Sequence, residues 1–318
     1  MPEYSDNSKE TIKQTSLDRA RGSILGLVAA DALGSTVEFT TPAQIKQRFG
    51  PAGQTEMRGG GMFNWAVGDY TDDSQMMLCL LESLVATNRE TLTGLNVADL
   101  GRRFVAWYDS RPPDVGITVS QALARLMSGT EAAFSGDANP QSQANGAVMR
   151  CAPVAVLWHR PAQRSELVRD SLLSAAPTHR SPIAAGACVV ANTMIAELIS
   201  GQTFETALAQ AKVAANPEWQ AGLEEWEKAG RPHRGNTGWA LTTVLTALHC
   251  VLTTSNFEEA VIKAVNGGDD ADTVGAVTGE IAGALYGYSA IPARWLKVLK
   301  DREKFIDLAT ELFQVGEK

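Results

Sequence analysis

The chain has 318 residues, 44% hydrophobic and 20% charged, the balance of a globular protein with a large core and length for one or two domains. Its formal net charge of -8, pI near 5.1 and lack of any Lys/Arg run leave no basic footprint, which excludes nucleic acid as an expected partner. Cys79, Cys151, Cys188 and Cys250 are widely spaced and form no C-x-x-C pair, so they read as small buried hydrophobes and not as a disulfide framework or zinc site.

Residues 1–16 are polar and mixed in charge, with neither the basic nor the apolar region of a secretory signal. They read as a polar N-terminal tail ahead of one domain over residues 17–318, and a cytoplasmic location is expected. Helical spacing of apolar residues then runs from Leu17 to Leu33, and further helices are expected over Ser74–Ala86, Val97–Tyr108, Thr118–Met127, Arg164–Ala175 and Pro182–Ile199. The most apolar stretch, Ile183 to Ala191, is interrupted by Asn192 and Glu197 short of membrane-spanning length, so no bilayer span is expected. Phe204–Ala214 and Trp239–Leu252 follow. Ser255-x-x-Glu258 is a capping box opening a helix that Gly267 can close, and two more helices end at Tyr286 and Phe313. Strand-like alternation is nearly absent, so the fold class is all-α.

Two sets of small residues recur at every fourth position: Gly22, Gly26, Ala30 and Gly34, and Gly275, Gly279, Gly283 and Gly287. A helical glycine costs about 0.8–1.0 kcal/mol relative to alanine, so such stripes make sense where two backbones pack closely. Gly34 and Gly287 could also simply end helices. We expect the two striped helices at the centre of the molecule.

Two acidic clusters lie far apart in sequence, Thr71-Asp72-Asp73 and Asp269-Asp270-Ala271-Asp272-Thr273, and each opens a small-residue helix. A carboxylate or Thr hydroxyl at a helix N-terminus is an ordinary cap. A cap needs a single oxygen, however, while Asp269, Asp270 and Asp272 crowd three like charges into one turn. Hard oxygen donors of this kind suit Mg2+, Mn2+ or Ca2+.

In order along the chain stand Gly26-Leu27-Val28-Ala29-Ala30-Asp31-Ala32-Leu33-Gly34 followed by Glu38, then Tyr70-Thr71-Asp72-Asp73-Ser74, Asn145-Gly146-Ala147-Val148-Met149-Arg150, Thr178-His179 and Gly268-Asp269-Asp270-Ala271-Asp272-Thr273. Together they resemble the ADP-ribosylglycohydrolase family over most of the chain, with bacterial members similar to dinitrogenase reductase-activating glycohydrolase the nearest in pattern. The resemblance implies a single orthogonal helical bundle, two divalent cations (Mg2+ or Mn2+), and hydrolysis of the N-glycosidic bond of ADP-ribosylated arginine on protein, releasing ADP-ribose. By matching position it implies Thr71, Asp72, Asp73, Asp270, Asp272 and Thr273 as metal ligands. Glu38 resembles the family glutamate near the metals, and it or one of Asp72, Asp73 and Asp270 would assist proton transfer. Asp31 reads as structural, and Asp269 as a residue that holds or ends the loop.

For the substrate, the glycine-rich loop Gly59-Gly60-Gly61 is a candidate diphosphate cradle or an ordinary turn. Asn145 and Gly146 match the family segment lining the cleft, with Met149 and Arg150 packing behind it. Asp114 and Gly116 match a segment where a carboxylate can meet the substrate guanidinium, and His179 matches a position near the substrate. Trp65 and Tyr70 either cover the cleft or pack. Ser74 departs from the family threonine, and Thr118-Val119-Ser120 from a more polar run, which touches leaving-group preference. Alternatives in view are hydrolysis of ADP-ribosyl-serine or O-acyl-ADP-ribose, and a noncatalytic partner that neutralises an ADP-ribosyltransferase.

Overall fold

Short polar side chains accepting the first free N–H groups of a helix set many of the element boundaries in the computed structural model, which describes the backbone from Tyr4 to Lys318 and side chains from residue 14 onward. The first three residues of the polar N-terminal stretch lie outside the described residues. Helix α1 (Tyr4–Gly34) leads to α2 (Pro42–Phe49), where Thr41 and Gln44 cap each other reciprocally ahead of Pro42. Thr71 caps α3 (Asp72–Asn88) and Asn96 caps α4 (Val97–Asp109). After α5 (Ile117–Met127), α6 (Ala152–Leu157) and α7 (Arg164–Ala175), Ser181 caps α8 (Pro182–Ile199). Thr203 and Asn216 cap α9 (Phe204–Ala214) and α10 (Pro217–Lys228). The chain ends with α11 (Ala240–Leu252), α12 (Phe257–Val265), α13 (Ala271–Tyr286), α14 (Ala293–Val298) and α15 (Arg302–Gly316). No strand is present among the described residues, only isolated bridges such as Gly60–Trp65 and Ala144–Trp239. The all-α expectation is borne out.

Helix α1 starts at Tyr4, inside the stretch expected as a polar tail before Leu17, and two further details differ from the sequence reading. The cap of α12 is Asn256, one residue later than the expected Ser255: Asn256 Oδ1 accepts from Glu259 N at 2.9 Å, and Glu259 Oε2 accepts from Ser255 N at 3.0 Å. Glu259 thus returns to the residue before the cap and not to the cap itself, so the expected reciprocal box is replaced by an Asn256 cap with Glu259 holding Ser255 N. Helix α8 is 18 residues long with mean hydropathy 1.6, enough by length and composition to cross a membrane, yet 89% of it is buried in the interior. Asn192 and Glu197, expected to interrupt it, are accommodated by partners: Asn192 Nδ2 donates to Ser171 Oγ at 2.9 Å, and Arg164 Nε donates to Glu197 Oε1 at 2.8 Å.

The glycine stripes meet. Helices α1 and α13 run antiparallel at the centre, with Gly22 against Gly283, Gly26 against Gly279 and Ala30 against Gly275. A Cβ placed on Gly22, Gly26, Gly279 or Gly283 would overlap a main-chain carbonyl of the opposite helix, so no larger residue fits without separating the backbones. Gly34, at the C-terminal end of α1, lies against Ala271 and Asp272 at the start of α13. That end of the seam places the segment leading to Glu38 beside the second acidic cluster.

Candidate active site

Helix α3 is brought to the same place by a carboxylate in α1. Asp31, fully buried, accepts from Thr71 N at 3.0 Å, Ser74 N at 3.1 Å and Ser74 Oγ at 2.5 Å, so it caps α3 from outside and fixes the first acidic cluster against the glycine seam. Ser74, where the family motif often has threonine, gives this contact its hydroxyl. The loop after α1 is tied to the second cluster by a reciprocal main-chain pair: Phe39 N donates to Asp269 O at 2.7 Å, and Asp269 N donates to Thr40 O at 2.9 Å. Asp269 has φ 48° and Phe39 φ 57°, both in the left-handed region that non-glycine residues seldom occupy. Asp269 thus holds the loop through its backbone.

Between these elements opens a cavity of about 370 Å3, lined by Glu38, Asp72, Asp114, Asp270, Asp272 and Thr273 on its acidic side. One carboxylate oxygen from each of Glu38, Asp114 and Asp272 lies within 4.8 Å of the other two. Asp73 and Thr71 stand immediately behind the lining. Asp73 Oδ2 accepts from Thr71 Oγ1 at 3.2 Å and from Thr273 Oγ1 at 3.4 Å, a direct link between clusters 200 residues apart. Asn145 reaches across from the other wall, donating through Nδ2 to Asp270 Oδ2 at 2.7 Å and to Thr243 Oγ1 at 3.0 Å. Asn145 therefore orients a carboxylate as well as lining the cleft.

Burial, followed by mutual repulsion, pushes the carboxyls of Asp72, Asp73 and Asp272 well above the usual range. Glu38 is raised to about 9, by burial first and then by Asp114, Asp270 and Asp72. Asp114 and Asp270 are also raised, chiefly by burial. Such a cluster is strained as anions unless a cation lies among them. Glu38 Oε2 and Asp73 Oδ1 are buried without a hydrogen-bond partner among the described residues. An all-oxygen donor set with unsatisfied carboxylate oxygens fits a hard divalent cation.

The opposite wall carries Gly116, Gly146 and His179, all anticipated, together with Met149, Phe39, Ile117, Val119 and Gly238. His179 is buried with Nδ1 2.8 Å from Thr178 Oγ1. Arg150 packs behind, fully buried, its guanidinium over the Phe104 ring. Met149, expected behind the cleft, in fact faces it.

Gly59, Gly60 and Gly61 do not line this cavity. Their φ values of 69°, 89° and 74° form a tight loop closed by Gly60 N–Trp65 O and Trp65 N–Gly60 O hydrogen bonds of 2.7 and 2.8 Å. A side chain on Gly61 would also meet Ser35 O. Turn geometry and backbone contact account for these glycines; their connection to the site is indirect, through Trp65, Phe63 and Phe39 packed edge to face. Trp65 and Tyr70 are packing residues, with Tyr70 Oη donating to Asp301 Oδ2 at 2.8 Å.

Sequence periodicity gave no sign of the apolar side of the mouth. Phe39 (59% exposed), Ile117 (77%) and Trp239 (65%) are large and open to solvent. Trp239 adjoins Gly238 and bridges to Ala144, both of which line the cavity. The one available signal for Trp239 is an aromatic at the polar start of a helix whose apolar face begins after it.

Comparisons with known proteins identify the fold and the family. A family model described as ADP-ribosylglycohydrolase matches residues 12–318. The ADP-ribosylarginine hydrolase Tri1 of Serratia proteamaculans is 33% identical over 310 residues, covering 95% of this chain and 80% of that protein. The ADP-ribosyl-dinitrogen reductase glycohydrolase of Rhodospirillum rubrum is 38% identical over 288 residues, covering 89% of this chain and 90% of that one. A solved structure described as an ADP-ribosylglycohydrolase-related protein complex superposes with a TM-score of 0.80 at 32% identity, over 95% of this chain and 99% of the other. With its acidic motifs gathered at one cavity and the match running nearly end to end, the chain belongs to the ADP-ribosylglycohydrolase family.

Proposed function

We propose that this protein hydrolyses the N-glycosidic bond joining ADP-ribose to an arginine side chain of a modified protein, with two Mg2+ or Mn2+ ions as cofactors. The observation that carries the reading is the meeting of Glu38, Asp72, Asp270 and Asp272 around one cavity, from segments separated by most of the chain. Two similar proteins, from Serratia proteamaculans and Rhodospirillum rubrum, bear names for ADP-ribosylarginine and ADP-ribosyl-dinitrogen reductase hydrolysis. Thr71, Asp72, Asp73, Asp270, Asp272 and Thr273 would hold the cations. When bound, the cations supply charge neutralisation, a fixed seat for ribose hydroxyls and water, and a lowered water pKa.

The reaction breaks the bond between the anomeric carbon and the guanidine nitrogen, joins a water oxygen to that carbon and delivers a proton to the leaving nitrogen. Glu38, with one oxygen unpartnered beside the acidic side, takes the proton from water. Asp114, at the cavity edge, pairs with the guanidinium of the leaving arginine. Asn145 keeps Asp270 turned inward through the 2.7 Å hydrogen bond. Trp239, exposed beside the mouth, offers a flat face on which an adenine base can stack.

The deciding experiment is incubation with matched arginine-, serine- and acetyl-linked ADP-ribose, with Mg2+, Mn2+ or chelator, and mass spectrometry of released ADP-ribose. Release from the arginine conjugate alone, abolished by chelator, is expected. Release only from the serine or acetyl conjugates would reassign the scissile bond, and no release from any would leave a binding protein.

A further inference from the structure

The imidazole of His179 sits in a cradle whose hydrogen bonds determine which of its nitrogens carries the hydrogen. The turn that carries it is pinned by main-chain bonds to Asp137: Asp137 N donates to Thr178 O at 3.0 Å and Arg180 N to Asp137 O at 2.7 Å. Nδ1 lies 2.8 Å from Thr178 Oγ1, and Arg150 Nη2 lies 2.7 Å from the same oxygen. A guanidinium has hydrogens to give and no lone pair to accept with, so Thr178 Oγ1 is the acceptor in its contact with Arg150. Thr178 is fully buried, and among the described residues the acceptor in reach of its single hydroxyl hydrogen is His179 Nδ1.

Nδ1 therefore accepts, and in the neutral ring the hydrogen is on Nε2. The opposite tautomer would bury the Thr178 hydroxyl hydrogen without an acceptor. Nε2 itself is buried without a hydrogen-bond partner among the described residues, on a residue that lines the cavity. It borders Gly146, where an added Cβ would stand 2.9 Å from Cε1 and 3.2 Å from Nε2. The missing side chain at Gly146 leaves that edge of the ring open.

We propose that Arg150 and Thr178 are positioning residues that lock His179 as a neutral Nε2–H donor, directed at an acceptor oxygen of the ligand in a cavity whose other wall carries the carboxylates. The tautomer follows from the protein's own hydrogen bonds; only the identity of the ligand, ADP-ribose, rests on the proposed function. Burial and the nearby Arg150 cation push His179 down to about 3, so the ring stays uncharged throughout the neutral range. A charged imidazole would instead be drawn to the acidic wall, in competition with bound cations. Thr178 needs no contact with substrate to act in this way.

The test is 15N NMR of the imidazoles in the full-length protein, with His179→Gln to assign the signals among the four histidines. The expected spectrum has an unprotonated Nδ1 and a protonated Nε2 for His179, unchanged between about pH 5 and 8. Thr178→Val, close in shape but without the hydroxyl, is expected to lose that signature and weaken ADP-ribose binding about tenfold by calorimetry. Thr178→Ser restores both. The lock is refuted by an Nδ1-protonated ring in the wild type, or by a Val variant with an unaltered spectrum and affinity. Because the spectrum is taken on the free protein, the expected signature without any ADP-ribose binding would uphold the lock and defeat the proposed substrate instead.

Discussion

Glu38 lies in the turn after α1 and Asp72 opens α3, yet both are pushed toward the protonated form, by burial first and then by the shared neighbours Asp114 and Asp270. A group with that environment is suited to exchanging protons once a cation fixes the charges around it. Replacing Glu38 by Gln keeps the shape and removes the proton acceptor; turnover on ADP-ribosyl-arginine is expected to fall by about 10²–10⁴-fold, while binding of ADP-ribose by calorimetry changes little. A variant with full turnover would remove Glu38 from the chemistry. Asn145→Ala, which frees Asp270, is expected to weaken Mn2+ binding in a metal titration by about 10–100-fold, the usual cost of losing a residue that orients a ligand. The two acidic clusters were legible in the sequence because crowded like charges are costly without a purpose, whereas Glu38 and Asp114, standing alone, were marked only by the family resemblance. Phe39, Ile117 and Gly238 were not, since an apolar wall residue has no chemical mark that separates it from core or loop. Gly59, Gly60 and Gly61 were legible as unusual, but positive φ and the approach to Ser35 explain them without a phosphate.

At the level of helices, the α1–α13 pair shows how a local cost becomes a global constraint. Each seam glycine disfavours its own helix, and the compensation is a backbone contact that no side chain permits. Gly279→Leu forces the pair apart and is expected to destabilise the protein by at least about 1–3 kcal/mol, the usual range for overpacking, read as a lowered urea midpoint. Unchanged stability would mean that the seam does not hold the molecule together. The stripe was readable from sequence because a repeat of four marks one helical face. The spans of α8 and α9 were readable too, from the helical spacing of their apolar residues, and the structure matches both windows end to end. Helices α2, α6 and α14 are six to eight residues long, too short for periodicity to rise above chance. Helix α10 escaped notice because its buried side is only Trp219, Leu223 and Trp226 in a charged segment.

For the molecule as a whole, the crowded carboxyls couple stability to pH and to cations. In the folded metal-free protein Glu38 is raised from 4.5 to about 9, so the fold binds its proton more tightly than the unfolded chain does. That contribution is complete below about pH 4.5 and is lost as pH rises toward about 9; Asp72, Asp73 and Asp272 shift in the same direction. In chelator the melting temperature is therefore expected to decline from pH 5.5 to 8.5, and Mn2+ or Mg2+ to raise it more at the alkaline end, where cations no longer compete with protons. Equal cation-induced shifts at both pH values, followed by thermal scanning, would contradict this picture. The antiparallel pairing of α1 with α13 has one further outcome, in the order of synthesis. The first long helix leaves the ribosome with a bare glycine groove and must wait for residues 271–286 before its partner exists. Until then the carboxylates of Glu38 and Asp72 have no Asp270 or Asp272 to face, so the cavity can close only after α13 has been made.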